Sequence, residues 1–173
     1  AAQNMSQLID DLLAYSRLAR RAAKRGRVDI PALVKDVLAE RGEEIASRGV
    51  AVSVGALPSA ATGDQEGLEQ AVRNLLDNAL KFTRCRERPA IAIGGEETAN
   101  AATLWVRDNG LGFEMRFHDR IFEIFQRLHR EEEYPGTGIG LAIVRKALER
   151  MGGRAWAEST PGEGATFWLE IPR

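Results

Sequence analysis

Three short stretches of this 173-residue chain carry residue types that could do chemistry together. The first is Asn74-Leu75-Leu76-Asp77-Asn78-Ala79-Leu80-Lys81. On a helix, Asn74, Asn78 and Lys81 project from one face, because steps of three and four residues return to the same side. Two carboxamide oxygens and an ammonium so placed could hold a hydrated Mg²⁺ and the phosphates it neutralises. A polar helix face in water is the competing reading, since Asn is common on surfaces. The second stretch is Asp108-Asn109-Gly110-Leu111-Gly112. Its glycines permit tight turning and close approach of backbone to a ligand. A carboxylate at a strand end could accept a hydrogen bond from an exocyclic amine, as on adenine; a plain Asp-Asn-Gly turn is the alternative. The third is Gly136-Thr137-Gly138-Ile139-Gly140-Leu141, opening a helix. Freed amides at a positive helix end suit phosphate. It is neither a dinucleotide fingerprint, lacking an immediately preceding strand, nor a P-loop, lacking a following Gly-Lys-Ser/Thr.

The elements that must position these stretches follow from periodicity and punctuation. Met5, Leu8, Ile9, Leu12, Tyr15 and Ala19 recur at helical steps, so residues 3–24 read as a helix whose apolar stripe needs another chain or another segment to cover it. The basic run from Arg17 to Arg27 reads as a solvated helix end, since no aromatic residues are interleaved with it for base stacking. Residues 28–30 form a short strand. Asp29 and Pro31 then open a helix that runs to Arg48, with Gly49 as its stop. Residues 50–54 alternate as a strand and residues 55–62 read as loop. Asp64 caps a long helix through Phe82, with Leu68, Val72, Leu75, Ala79 and Phe82 on its core face. Strands follow at 90–93 and 103–107, then a short helix over 116–125 and a helix over 139–151. Two closing strands, 154–158 and 165–171, join through a Pro161-Gly162 turn. Helices segregated from mostly antiparallel strands imply an α+β, two-layer sandwich.

Bulk properties bound the function without naming it. Lys and Arg number 24 against 25 Asp and Glu, so no global field draws nucleic acid or an anionic membrane. The single Cys85 excludes an intramolecular disulfide framework and suits a reducing, cytoplasmic compartment. No apolar run approaches the roughly 20 residues that span a bilayer, and no secretory leader is expected, since Ala1-Ala2-Gln3-Asn4 opens straight into amphipathic sequence.

Taken in order, an Asn-bearing helix, Asp-x-Gly-x-Gly and Gly-x-Gly-x-Gly, with Phe122 and Phe125 between the last two, closely resemble the N, G1, F and G2 boxes of sensor histidine kinases. Gly162-Glu163-Gly164-Ala165-Thr166-Phe167 is similar to that family's closing strand. The resemblance covers residues 25–173. Residues 1–24, particularly Met5 to Leu13, resemble part of the second helix of its dimerisation and histidine phosphotransfer hairpin. The stretch from Phe122 to Arg130 and Tyr134-Pro135-Gly136 look most like phytochrome-linked kinases.

The resemblance implies a Bergerat ATP-binding sandwich with ATP and Mg²⁺ as cofactors. Under it, Asp108 binds the adenine amine, with Thr166 supporting it through ordered water. Asn74 and Asn78 hold the metal and Lys81 contacts phosphate, which makes Asn74 and Lys81 the catalytic pair. The remaining nucleotide contacts fall to Gly110, Gly112, Phe122, Phe125, Arg127, Gly136, Thr137, Gly138, Ile139, Gly140 and Leu141, with a lid over 127–135. Implied partners are a response regulator receiver domain, a second copy in a homodimer of the full-length protein, and an upstream sensor domain. Nucleic acid and direct membrane contact are not implied.

Related ATPases place Glu where this chain has Asn74. A carboxylate can deprotonate water and a carboxamide cannot, which turns the expectation from hydrolysis to phosphoryl transfer. A gyrase-type ATPase, a serine kinase-like domain and a non-catalytic nucleotide-binding or dimerising module remain the alternatives. The acceptor histidine is expected on a hairpin helix before residue 1. Neither His118 nor His129 lies where an acceptor should, so this piece is not expected to autophosphorylate alone.

Overall fold

The computed structural model describes residues 2–124 and 138–173, with side chains from Met5 onward. A first helix, α1 (Ala2–Arg20), leads into strand β1 (Arg25–Asp29). Helix α2 (Ile30–Glu40) opens as its sequence requires: Asp29 accepts a hydrogen bond from the Ala32 amide and Pro31 occupies the first turn. The expected single helix to residue 48 is two. The chain turns at Arg41-Gly42, and α3 (Gly42–Arg48) ends at Gly49 in the left-handed region, φ 64°.

Strand β2 (Ala51–Val54) follows, and then β3 (Ala60–Asp64) stands where a loop was expected. Ala-Ala-Thr-Gly-Asp has little intrinsic strand preference. It is strand because it pairs antiparallel with β1, Val28 opposite Ala61 and Arg25 opposite Asp64. That two-stranded ribbon delivers Asp64 to the start of α4 (Gln65–Phe82), where its carboxylate caps the Gly67 amide at 3.2 Å. Helix α4 buries Leu68, Ala71, Val72, Leu75, Leu76, Ala79 and Leu80.

Strands β4 (Ala90–Glu97) and β5 (Ala101–Asp108) are longer than their apolar cores suggested, leaving only residues 98–100 as loop between them. Two single 3₁₀ turns, Met115–Phe117 and Arg120–Phe122, replace the expected short helix. Helix α5 (Gly140–Arg150) and strands β6 (Arg154–Thr160) and β7 (Gly164–Pro172) complete the described chain. The main sheet runs β2-β4-β5-β7-β6, parallel only between β2 and β4.

Alternation along β5 and β7 assigns the two faces. Leu104, Val106, Asp108, Ala165, Phe167 and Leu169 are buried beneath the helices. Trp105, Trp168 and Trp156 tile the opposite face, the last two stacked with centroids 5.8 Å apart. The result is the α+β two-layer sandwich read from sequence.

The first helix departs from expectation. One side of the helix packs within this chain: Leu18 is buried, and Leu8, Ala14 and Tyr15 lie against the core. Arg21 of the basic run is not a solvated end, since it pairs with Asp64 at 2.5 Å and Glu66 at 3.1 Å. Arg150 donates to the carbonyls of Ala19 and Arg21, tying the end of α1 to α5. Met5, Ile9, Leu12 and Leu13 remain exposed.

Candidate functional site

Asp108 ends β5 with its side chain under the helices, 6% exposed. A carboxylate there must recover the hydrogen bonds it loses with water. The Gly110 amide donates to its Oδ1 at 2.8 Å, and the Ala165 amide of β7 donates as well. Burial nevertheless dominates and pushes the carboxyl up from 3.8 to about 6, the two amides opposing the rise. A carboxyl held at this cost beside glycine-rich backbone is a candidate for ligand contact.

The glycines around it are dictated by contact. A side chain on Gly110 would meet the Phe82 carbonyl oxygen at 2.4 Å. Gly112, at φ 68°, lies against the Thr160 and Gly164 carbonyls. Gly164, at φ 103°, has the Asp108 carbonyl oxygen 2.0 Å from where a Cβ would sit. Asp-x-Gly-x-Gly and the β6–β7 hairpin are thus pressed together backbone to backbone. Ser159 cross-links them, accepting from the Phe113 amide at 2.8 Å and donating to the Gly164 carbonyl at 2.6 Å.

Asn74, Asn78 and Lys81 share the half-buried side of α4. Asn74 donates through Nδ2 to the Gly140 carbonyl at 3.2 Å, which ties α4 to the first turn of α5. Its Oδ1 is left as an acceptor. The Asn78 carboxamide has no hydrogen-bond partner among the described residues. Lys81 places its ammonium 4.7 Å from the centre of the Phe82 ring. Gly138 adopts φ 76°, Ile139 is fully buried beneath the α5 terminus and Leu141 packs on the core. Gly140 starts α5 with open space where a side chain would project. Phe125, Arg127, Gly136, Thr137, His129 and the lid fall outside the described residues.

Two site expectations change. Thr166 does not stand beside Asp108. The one-residue offset along β7 sends it to the tryptophan face, where its Oγ1 accepts from Arg107 Nε at 3.2 Å. Ala165 occupies the position facing Asp108 and contributes its amide rather than a side chain. Phe122 is a core ring, 2% exposed and set edge-on against Phe167 at 6.3 Å, so it supports the site from beneath. His118 is exposed, and the neighbouring Asp119 is engaged by Arg145.

The arrangement can do two things. An adenine-like ring edge can meet a buried carboxylate. Phosphates can meet the α5 terminus, across from two carboxamides and an ammonium. Among the described residues no cluster of three His, Cys, Asp or Glu could hold a metal by itself.

Residues 63–173 match the family of histidine kinase-, DNA gyrase B- and HSP90-like ATPases. The chain belongs to that family, and within it is a catalytic domain of the sensor histidine kinase type. It is 42% identical over 168 residues to the phytochrome-like protein Cph1 of Synechocystis sp., covering 97% of this chain and 22% of that protein. The structure of full-length ShkA in complex with AMPPNP superposes with a TM-score of 0.81 at 29% identity, over 95% of this chain and 35% of that one. Histidine kinase ThkA in complex with the response regulator protein TrrA gives the same score at 22% identity, which speaks to fold alone, over 99% and 48% of the respective chains. The chain spans about a fifth of the length of the curated relatives it matches.

Proposed function

We propose that this chain binds Mg²⁺–ATP and donates the γ-phosphoryl group to a histidine on the first helix of a dimerisation hairpin, for relay to a response regulator. The observation that carries the reading is Asp108: a buried carboxylate, raised in pKa by desolvation, held by two amides between two glycine-rich backbones. A buried acceptor of that kind suits a hydrogen-bond donor on a flat aromatic ring, which is what the adenine amine presents.

The residues present fit a nucleotide-borne Mg²⁺. Neutral carboxamide oxygens of Asn74 and Asn78, with no carboxylate cluster among the described residues, suit an ion that brings phosphate and water ligands with it. When bound, the ion neutralises phosphate charge. Lys81 adds positive charge next to Asn78, and the α5 terminus orients the phosphates through backbone amides. Asn74 has no proton-accepting carboxylate with which to activate water, and its Nδ2 is already committed to Gly140. Both features favour transfer over hydrolysis.

Residues 1–24 are read as part of the hairpin's second helix and residues 25–173 as the catalytic domain. The exposed Met5, Ile9, Leu12 and Leu13 would then complete a bundle with the first helix and a second copy. A response regulator receiver domain as partner and an upstream sensor domain belong to the same reading, in keeping with the phytochrome-like relatives. No helix among the described residues is long and apolar enough to cross a membrane. The cytoplasm is the setting the reading assigns.

The test uses γ-labelled ATP. Acid-labile label should appear on the full-length parent, and none on His118 or His129 of the 173-residue chain. A parent that takes no label, or label on either histidine, contradicts the reading.

A further inference from the structure

The loop that presents Asp108 has complete backbone pairing, and one side chain outside every recognised motif provides a third of it. Asn109 and Leu111 donate their amides to the carbonyls of Ala90 and Phe82, both at 3.3 Å, while the Gly110 amide serves Asp108. On the acceptor side, the Leu111 carbonyl takes the Gly162 amide at 2.7 Å. The other two carbonyls go to Arg86: Nε donates to Asn109 O at 2.8 Å and Nη2 to Gly110 O at 3.0 Å. The same Nη2 also donates to the carbonyl of Gly162, in the β6–β7 turn.

Arg86 is half-buried, sits between α4 and β4, and enters none of the ion pairs among the described residues. A cation whose partners are all carbonyl oxygens is not balancing charge. Its planar fork fixes the separation of the groups it grips, which a single ammonium cannot do. Here it joins the Asp108 loop to the hairpin that supplies the Ala165 amide, gripping both segments at once beside the Ser159 and Gly162–Leu111 links.

We propose that Arg86 is a positioning residue for nucleotide binding, holding the two backbone segments that aim Asp108 at the base. This rests on the adenine-site reading above. Without the clamp, Asn109, Gly110 and Gly162 turn to water, the loop loosens, and the Gly110 amide ceases to fix the carboxylate.

The experiment titrates Mg²⁺–ATP into the chain and its Arg86→Ala and Arg86→Lys variants, and follows amide hydrogen exchange without nucleotide. Arg86→Ala should weaken ATP about tenfold, the ratio that ~1.4 kcal/mol produces. Exchange should quicken at Gly110 and Leu111 while the amides of α4 and β5 keep their protection. Arg86→Lys, which keeps charge and stem but not the fork, should recover only part of the affinity, and it carries the test if the alanine variant does not fold. Unchanged ATP affinity overturns the proposal, as does a loss accompanied by faster exchange throughout α4 and the sheet. Asp108→Asn run alongside separates the two claims: if it binds ATP as the parent does, the adenine site itself is misassigned. If only the arginine variants bind normally, the clamp alone is refuted.

Discussion

Asp108→Asn should stabilise the nucleotide-free domain at neutral pH while weakening its grip on nucleotide. Burial raises the Asp108 carboxyl from 3.8 to about 6. At 1.36 kcal/mol per pKa unit, ionising it in the folded state costs roughly 3 kcal/mol. Below about pH 4 the group is protonated in both folded and unfolded chains and adds nothing. Between about 4 and 6 the unfolded chain releases its proton while the folded one retains it, so stability falls as pH rises; above about 6 the full cost is present. An asparagine keeps the shape and one acceptor oxygen but loses charge assistance from the Gly110 and Ala165 amides, about 1 kcal/mol. The net gain at pH 8 should be ~1–2 kcal/mol, or about 2–8 °C in Tm for a domain of this size. Urea unfolding of both proteins from pH 5 to 8 measures it, and the gap should shrink by ~1.4 kcal/mol at pH 5, which removes most of it. A variant no more stable at pH 8, or a difference flat across the range, would show that the buried Asp108 carboxylate carries no such cost.

Gly164→Ala should be poorly tolerated, because φ 103° is strained for alanine and its Cβ would overlap the Asp108 carbonyl. A loss of at least ~2 kcal/mol in urea unfolding is expected, and wild-type stability would contradict it. Asn74→Asp removes the donor to Gly140 and sets an acceptor against an acceptor, so α5 should shift and Mg²⁺–ATP bind more weakly; equal affinity by calorimetry would show that the strut is dispensable. The exposed Met5, Ile9, Leu12 and Leu13 should make the chain self-associate with rising concentration, and Ile9→Lys with Leu12→Lys should abolish this. Sedimentation showing a monomer throughout would count against the hairpin reading.

The helices were legible because their caps and periodicity agree: Asp29-Pro31, Gly49, and Asp64 with the apolar stripe of α4 all stand as read. Strand β3 was illegible, since Ala-Ala-Thr-Gly-Asp becomes strand only by pairing with β1, 35 positions apart at the Arg27–Thr62 pair, a long-range contact without local signature. The break at Arg41 was masked by good helix formers on both sides, and only Gly42 hinted at it. In the site, order and spacing singled out Asp108 and its glycines, and the structure packs them together. Thr166 was misplaced although the signal was there: Ala165, Phe167, Leu169 and Ile171 alternate as the buried face, which sends Thr166 outward. Ser159 and Arg86 left no such trace. Their partners are backbone carbonyls and amides, and those positions exist only once the hairpin and the Asp108 loop have met.

In the proposed function, Asp108 anchors a nucleotide base at a site that also takes Mg²⁺-bound phosphates. Calorimetric titration of Mg²⁺–ATP into the 173-residue chain and into Asp108→Asn tests it most directly. Saturable one-to-one binding by the first and at least about tenfold weaker binding by the second, a difference of ~1.4 kcal/mol, is the predicted result. Equal affinity in the two proteins, or no binding by either, would contradict it.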